Sequence, residues 1–270
     1  MNLKLQKIQR WLRDTHLLAP VERVRYLFSV IRLHRQNRRF IADNPHFALP
    51  PAALAYDAYS APDWNFYAQS GKDTAEFLAK TIKKYSPRAA TLRILEWGCG
   101  PARVIRHLAA AFVTPVEAFG SDYNEQSIAW CSRTIPGVAF IQNELHPPLK
   151  VADNFIDAVY SISVFTHLSD NVSKQWIAEL LRILRPGGLA VITTNGDSHV
   201  QFMLPDEMET YAKQGVVIRG NFEEGKKMFW ACHAPQYLRQ TLFRDFEVLE
   251  HAPASFPYNN QDCWILRKAT

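Results

Sequence analysis

Short apolar segments alternate with helix-forming segments from Leu92 to Thr194, and this alternation constrains the fold more than any other feature of the sequence. The candidate strands are residues 92–97, 117–122, 138–143, 158–163 and 189–194. The helical segments between them are residues 102–112, 124–134 and 173–184. Because most of these strands are apolar without alternation, we expect helices to cover both of their faces. The pattern predicts a doubly wound, mostly parallel α/β sheet.

The C-terminal part of the chain adds a helix and two more strands, which brings the predicted sheet to seven strands. The helix is expected at 235–243 and the strands at 246–251 and 262–267. Residues 197–235, between the fifth predicted strand and this helix, interrupt the strand pattern, and we expect them to influence the choice of substrate. We assign residues 201–270 to an acceptor-side insertion together with the strands that complete the sheet.

The N-terminal part is predicted to be helical and is assigned as an extension over residues 1–87, ahead of a core over residues 88–200. Its helices are expected at 3–13, 20–39 and 71–85, with a proline-rich linker at 44–51. Pro20 suits the first turn of the second helix, and Val24, Leu27, Phe28 and Ile31 recur at helical spacing along it.

The charge of the chain is concentrated at its N-terminus. Residues 1–40 contain ten Lys/Arg against Asp14 and Glu22, whereas the other 230 residues contain 21 Lys/Arg and 24 Asp/Glu, so the main body lacks the basic surface typical of nucleic-acid enzymes. No apolar run is long enough to predict a transmembrane helix. The four cysteines are scattered without metal-ligand spacing, which predicts no metal site and fits a cytoplasmic protein.

Two carboxylates stand at the ends of the first two predicted strands, where an open parallel sheet binds its ligands. Gly98 and Gly100 allow a tight turn after the first strand, and Asp122 ends the second strand 24 residues after Gly98. A carboxylate at that place can hold the ribose hydroxyls of an adenosine cofactor. Glu96, two residues before Gly98, would repel a pyrophosphate but suits the ammonium and sulfonium of S-adenosylmethionine.

Several motifs in the same order strengthen this interpretation. They are ILEWGCGPAR (94–103), GSDYN (120–124), NELHPPL (143–149), NFIDAVYSISVFTHLS (154–169) and LLRILRPGGLAVITTNG (180–196). Over residues 90–195 the chain resembles the class I S-adenosylmethionine-dependent methyltransferases, and within them the methyltransferase-domain proteins with a SVFTHL segment. The resemblance implies a Rossmann-like fold and S-adenosylmethionine as cofactor.

The resemblance also implies roles for individual residues at the cofactor. Glu96, Gly98, Cys99 and Gly100 would line its methionine end, with Ser161 or Ser163 approaching the amino acid portion. Asp122 and Tyr123 would hold the ribose and flank the adenine, and Asn143 with Leu145 would meet the adenine edge. Tyr67 and Gly71 would close over the cofactor carboxylate.

The acceptor is expected to be a small molecule or a sugar or glycan, methylated at a hydroxyl, with an amine as a further possibility. A hydroxyl acceptor needs a general base. We expect His167 or His233 in that role, with His199 and Asp262 as further candidates.

Two alternative functions stay open. An RNA methyltransferase is favoured only by the N-terminal charge, and Ser161-Ile162-Ser163-Val164 stands where amino-methylating nucleic-acid enzymes often have Asn-Pro-Pro-Tyr, so a nucleic-acid partner is not expected. A non-catalytic binding or scaffold protein would not need to keep its cofactor ligands. The basic residues 1–40 could cap the site, contact RNA, form a solvated helical face, or dock the protein peripherally on anionic lipid.

Overall fold

The core of the molecule is one mixed sheet of seven strands. The computed structural model describes residue 10 and residues 18–86 and 90–270. The strands of the sheet are β1 (Leu92–Trp97), β2 (Val116–Asp122), β3 (Val138–Gln142), β4 (Ile156–Ser161), β5 (Leu184–Thr194), β8 (Phe246–Ala252) and β9 (Asp262–Lys268). Their order is β3-β2-β1-β4-β5-β9-β8. The first five are parallel to one another, and β9 is antiparallel to both β5 and β8. The predicted seven-stranded, Rossmann-like sheet is confirmed.

Helices cover both faces of the sheet, as the apolar character of the strands requires. The helices are α1 (Leu18–Asp43), α2 (Ala52–Tyr59), α3 (Trp64–Tyr85), α4 (Ile105–Ala111), α5 (Glu125–Thr134), α6 (Asp170–Ile183), α7 (Pro205–Gln214) and the single turn α8 (Pro235–Tyr237). Neighbouring side chains of β1 lie on opposite faces of the sheet: Ile94 packs with α3, α4 and α5, and Leu95 packs with α6. This alternation gives the protein two core layers.

Capping residues explain where the longer helices begin. α3 begins at Trp64, before the predicted residue 71, because the Asp63 carboxylate accepts a hydrogen bond from the Phe66 amide at 3.0 Å. Ser169 caps α6 in the same way through the Val172 amide. The sequence prediction did not include α2, which follows Pro51 directly.

The region 197–235 contains a further small sheet. β6 (Val216–Arg219) and β7 (Trp230–His233) form an antiparallel pair, and α7 precedes them. Residues 220–229 join the two strands, and we call the part of this loop formed by residues 223–229 the strap. Its Gly225 amide donates to the His167 carbonyl oxygen at 2.9 Å, so the strap lies on the turn that follows β4.

The N-terminal helix α1 packs on the rest of the protein through one side. Leu33 and Phe40 are buried on that side, and Asn37 Nδ2 donates to the Pro62 carbonyl oxygen at 2.7 Å. The helix predicted over residues 3–13 lies outside the described residues except for Arg10, whose guanidinium binds the Asp206 carboxylate at 2.7 and 3.0 Å. Within the part of the chain that the structure describes, no helix is long and apolar enough to cross a membrane.

Candidate active site

A cavity of about 470 Å³ lies at the carboxyl ends of β1, β2 and β4. Parallel strands of an open sheet place their ligands at this edge. The cavity is closed on other sides by α2, by the strap and by the loop before β9, which contribute Asp57, Gly225 and Asn259. Residues that are far apart in the sequence therefore line one cavity.

The turn after β1 brings backbone close to the cavity. Gly98 has a positive φ of 79°, and a Cβ there would lie 2.2 Å from Val164 Cγ2, so only glycine fits. The amide of Gly100 donates to Asp122 Oδ2 at 2.7 Å. Ala102 has φ 55°, in the left-handed region where a third glycine is often found in such turns.

Asp122 is held in place from two directions at the end of β2. Its Oδ2 accepts from Gly100 N, and its Oδ1 accepts from Asn124 N at 2.8 Å. Burial raises the pKa of this carboxyl, and the two amide hydrogen bonds act in the opposite direction. The carboxylate lines the cavity in a fixed orientation, which suits it to bind a pair of hydroxyl groups.

Glu96 is almost completely buried under the same turn. Its Oε2 accepts from Tyr160 Oη and from the Ile105 amide, both at 3.0 Å. Its Oε1 has no hydrogen-bond partner among the described residues. Burial, the largest contribution, raises the pKa of Glu96 to about 8. The carboxyl group is therefore largely protonated at neutral pH when no cationic ligand is bound.

Asn143, directly after β3, offers a second unsatisfied acceptor. Its side chain lines the cavity and is 7% exposed. Its Nδ2 donates to the Glu144 carbonyl oxygen at 2.7 Å, whereas its Oδ1 has no hydrogen-bond partner among the described residues. A buried acceptor without a partner is costly, so the site is suited to a ligand that carries an N–H or O–H donor.

Among the histidines of the described residues, His167 is the one that lines the cavity. Its Nδ1 lies 2.7 Å from the Phe229 carbonyl oxygen, which can only accept, so Nδ1 carries the hydrogen and Nε2 is left with a lone pair. Burial lowers the pKa of His167, and the charge of Asp57 acts in the opposite direction. The ring is therefore neutral at pH 7 and able to accept a proton.

His233 and the other proposed bases lie elsewhere. His233 is fully buried, and burial lowers its pKa to about 4. Its two ring nitrogens have no hydrogen-bond partner within the described residues, and the ring does not line the cavity. His199 and Asp262 are also absent from the lining. Asp262 instead contacts His251 Nε2 at 2.8 Å.

Most of the predicted cofactor residues come together around the cavity, and three do not. Those on the lining are Glu96, Gly98, Cys99, Gly100, Asp122, Tyr123, Asn143, Leu145 and Ser163. Ser161 is buried beneath, with its hydroxyl unpartnered among the described residues. Tyr67 and Gly71 lie behind the glycine turn. Tyr67 Oη donates to the Pro101 carbonyl oxygen at 2.5 Å, and a Cβ on Gly71 would lie 2.0 Å from the Arg103 carbonyl oxygen. These two residues support the turn.

Several lining residues are not among the predicted cofactor or acceptor residues. Arg103 lines the cavity and donates through Nη1 to Ser70 Oγ at 2.8 Å, and its guanidinium lies 5.1 Å from the Tyr59 ring centroid. Asp57 and Tyr59 come from α2, which the Pro50-Pro51 pair could have indicated as a helix start. Lys226 and Lys227 come from the strap, for which the sequence offers no motif.

Residues 94–188 match a family model described as a methyltransferase domain. Over these residues the chain is similar to the class I S-adenosylmethionine-dependent methyltransferases. The glycine turn, Asp122, Asn143 and His167 all lie within the matched residues. Within the described residues, no cluster of His, Cys, Asp and Glu is arranged to hold a metal ion.

Two curated methyltransferases are similar to parts of the chain. A probable S-adenosylmethionine-dependent methyltransferase of Mycolicibacterium smegmatis is 30% identical over 115 residues, 42% of this chain and 41% of the relative. A malonyl-[acyl-carrier protein] O-methyltransferase of Bacillus cytotoxicus is 26% identical over 181 residues, 66% of this chain and 58% of the relative. The matched stretch thus spans less than two thirds of either curated relative.

The solved structures share the fold of the methyltransferase domain. The structure of an S-adenosylmethionine-dependent methyltransferase from Methanosarcina mazei superposes with a TM-score of 0.54 at 18% sequence identity. The superposition covers 70% of this chain and 97% of that protein. At this identity the likeness establishes the architecture alone.

Proposed function

We propose that the protein binds S-adenosylmethionine in the cavity and transfers the methyl group to a small molecule or a sugar, at a hydroxyl. The observation that carries the proposal is the pair of buried carboxylates at the ends of β1 and β2, Glu96 and Asp122, one on each side of the glycine turn. The bound cofactor would supply a methyl group already activated by its sulfonium. The protein must then bind, orient and exclude water.

The free polar atoms of the site fit the groups of this cofactor one by one. Glu96 Oε1 suits the methionine ammonium, and the Asp122 carboxylate suits the ribose hydroxyls. Asn143 Oδ1 suits the amino group on the adenine edge. Arg103 lines the cavity without an ion pair to any described acid, and its charge suits the methionine carboxylate.

His167 is proposed as the base that receives the proton of an acceptor hydroxyl. The Phe229 carbonyl fixes its tautomer, so Nε2 is the atom that accepts. Asp57 lines the same cavity, and its charge, which acts to raise the pKa of His167, would stabilise the imidazolium that forms. An amine acceptor would depend less on this residue.

Calorimetric titration with S-adenosylmethionine and S-adenosylhomocysteine tests the cofactor assignment. The native chain should bind both, and Asp122→Asn should weaken binding by about tenfold or more, because a charge-assisted hydrogen bond contributes about 1.5–3 kcal/mol. Asp245→Asn is the matched control, since Asp245 is exposed and, among the described residues, forms an ion pair only with its neighbour Arg244. Absence of binding by a folded native chain, with and without acceptors present, would refute the proposal.

Transfer of an isotope-labelled methyl group to a panel of small molecules and saccharides tests the acceptor class. A hydroxyl acceptor should lose most of its turnover in His167→Gln, whereas an amine acceptor should lose little. Incorporation of label into RNA alone would instead favour a nucleic-acid methyltransferase.

A further inference from the structure

Helix α1 exposes a stripe of large apolar side chains. Val24 is 63% exposed, Leu27 55%, Phe28 72% and Ile31 75%. Apolar residues at such spacing ordinarily face a protein core. Here the opposite side of the helix packs on the body, through Leu33 and Phe40. The apolar stripe therefore faces outward.

Basic side chains lie beside this stripe and follow it toward the C-terminal end of the helix. Arg32, Arg35, Arg38 and Arg39 are exposed and form no ion pair with any described residue. At 100° per residue, Arg35 and Arg38 lie on the same face as Phe28 and Ile31. The acids of α1 are Glu22 and Asp43, and Glu22 is already paired with Lys227 and Arg25. The exposed face is therefore both apolar and strongly positive.

We propose that this face of α1, formed by Val24, Leu27, Phe28, Ile31 and the four arginines, docks on an anionic lipid surface. An interfacial helix buries its apolar side chains at the boundary of headgroups and acyl chains, while basic side chains bind lipid phosphates. A second copy of the chain fits less well, because a symmetric interface pairs the face with itself and this face contains no acidic residue to pair with its four arginines. The sequence around α1 adds to the same charge, with ten Lys/Arg against two acids in residues 1–40.

The other side of α1 connects the docking face to the cavity wall. Glu22 accepts from Tyr56 Oη at 3.1 Å and binds Lys227 of the strap at 3.0 Å. A helix is about 10 Å across. A docked α1 would thus hold the strap within about one helix diameter of the lipid surface.

Co-sedimentation of the full chain with vesicles tests the proposal. Vesicles are made of phosphatidylcholine alone or mixed with phosphatidylserine. The native chain should bind the anionic vesicles, and the binding should fall as salt is raised. Phe28→Ser with Ile31→Ser, and separately Arg35→Gln with Arg38→Gln, should each lower the partition coefficient by about tenfold or more. Val113→Ser, which changes a 99% exposed valine elsewhere, should leave it unchanged.

Three results would overturn the proposal. One is equal binding of the native chain to neutral and anionic vesicles, and another is unchanged binding by both double variants. The third is a change of oligomeric state in the Phe28→Ser, Ile31→Ser variant without lipid, measured by sedimentation equilibrium, since this would assign the face to a second copy. The substituted side chains are exposed, and thermal unfolding checks that each variant is folded as the native chain is.

Discussion

The ammonium of Lys227 lies 3.0 Å from the carboxylate of Glu22 and 3.7 Å from the centroid of the Tyr56 ring. This contact joins the strap to α1 and α2 on the far side of the cavity. The strap is also tied to the sheet, because Tyr123 Oη donates to the Gly225 carbonyl oxygen at 3.1 Å. The strap thus bridges the two walls of the proposed cofactor site.

Lys227→Met should speed the release of S-adenosylhomocysteine. The variant removes the ion pair with Glu22 but keeps an apolar stem against Tyr56, so the strap should open more often without loss of the fold. We expect a several-fold rise in the dissociation rate, measured by stopped-flow displacement. Lys213→Met is the control, because Lys213 forms an exposed ion pair with Glu209 within α7. Equal release rates in the native chain and both variants would show that the strap does not control exit.

Cofactor affinity should increase with pH between about 5.5 and 7.5. The free site holds a proton on Glu96, whose pKa is raised to about 8, and a bound ammonium would favour the carboxylate, so binding releases that proton. At pH values where binding releases one full proton from Glu96, the affinity should rise about tenfold per pH unit. The range stops at 7.5 because an α-amino group titrates above about 7.7.

Glu96→Gln provides the matched test of this linkage. The variant cannot release a proton, so its weaker affinity should be nearly independent of pH over the same range. Titration of the native chain in buffers of different ionisation enthalpy should report close to one proton released. Proton uptake on binding would contradict the assignment of the ammonium to Glu96.

His167→Gln should reduce turnover of a hydroxyl acceptor by about 10²–10⁴-fold, the usual contribution of a general base. Cofactor affinity should stay within a few fold of the native value, because the ring is assigned to the acceptor. His199→Gln is the comparison, since His199 does not line the cavity. If both variants lose the same activity, or neither does, His167 is not the base.

Gly71→Ala should destabilise the protein by about 1–3 kcal/mol, the usual cost of forcing an added group into a packed interior. A Cβ at this position would lie 2.0 Å from the backbone carbonyl oxygen of Arg103, so α3 or the glycine turn has to move. Denaturant unfolding measures the loss. Gly220→Ala is the control, because there the nearest atom would be 3.5 Å away, an ordinary contact. Equal stability of the two variants would contradict the tight fit at Gly71.

The sheet and the acidic ends of its strands could be predicted because each depends on local sequence. The observed bounds of β1, 92–97, are the predicted ones, and those of β9 differ from the prediction by one residue. Short apolar segments between helices are buried most readily as strands of a sheet that the helices cover. Glu96 and Asp122 follow from the strand ends. Their position on the cavity requires only that parallel strands end at one edge.

The walls of the cavity could not be predicted, because they depend on contacts between distant segments. Nothing local in the strap indicates that Lys227 meets Glu22.

The orientation of α1 could not be predicted either. The spacing of Val24, Phe28 and Ile31 defines a face of α1 but does not determine whether that face lies on the body of the protein or in solvent. Leu33, Phe40 and Asn37 give the opposite face enough apolar surface and hydrogen bonding to pack on the body.

The order of segments along the chain has a consequence for how specificity can change. Residues that contact the proposed cofactor lie between β1 and the end of α6, whereas α2, the strap and the loop before β9 lie before or after this stretch. Two crossovers, one near residue 90 and one near residue 196, would exchange all of these outer walls at once. The cofactor ligands would be inherited unchanged, provided that the incoming segment brings its own β8 and β9. Recombination between relatives can therefore vary the acceptor while keeping one methyl donor.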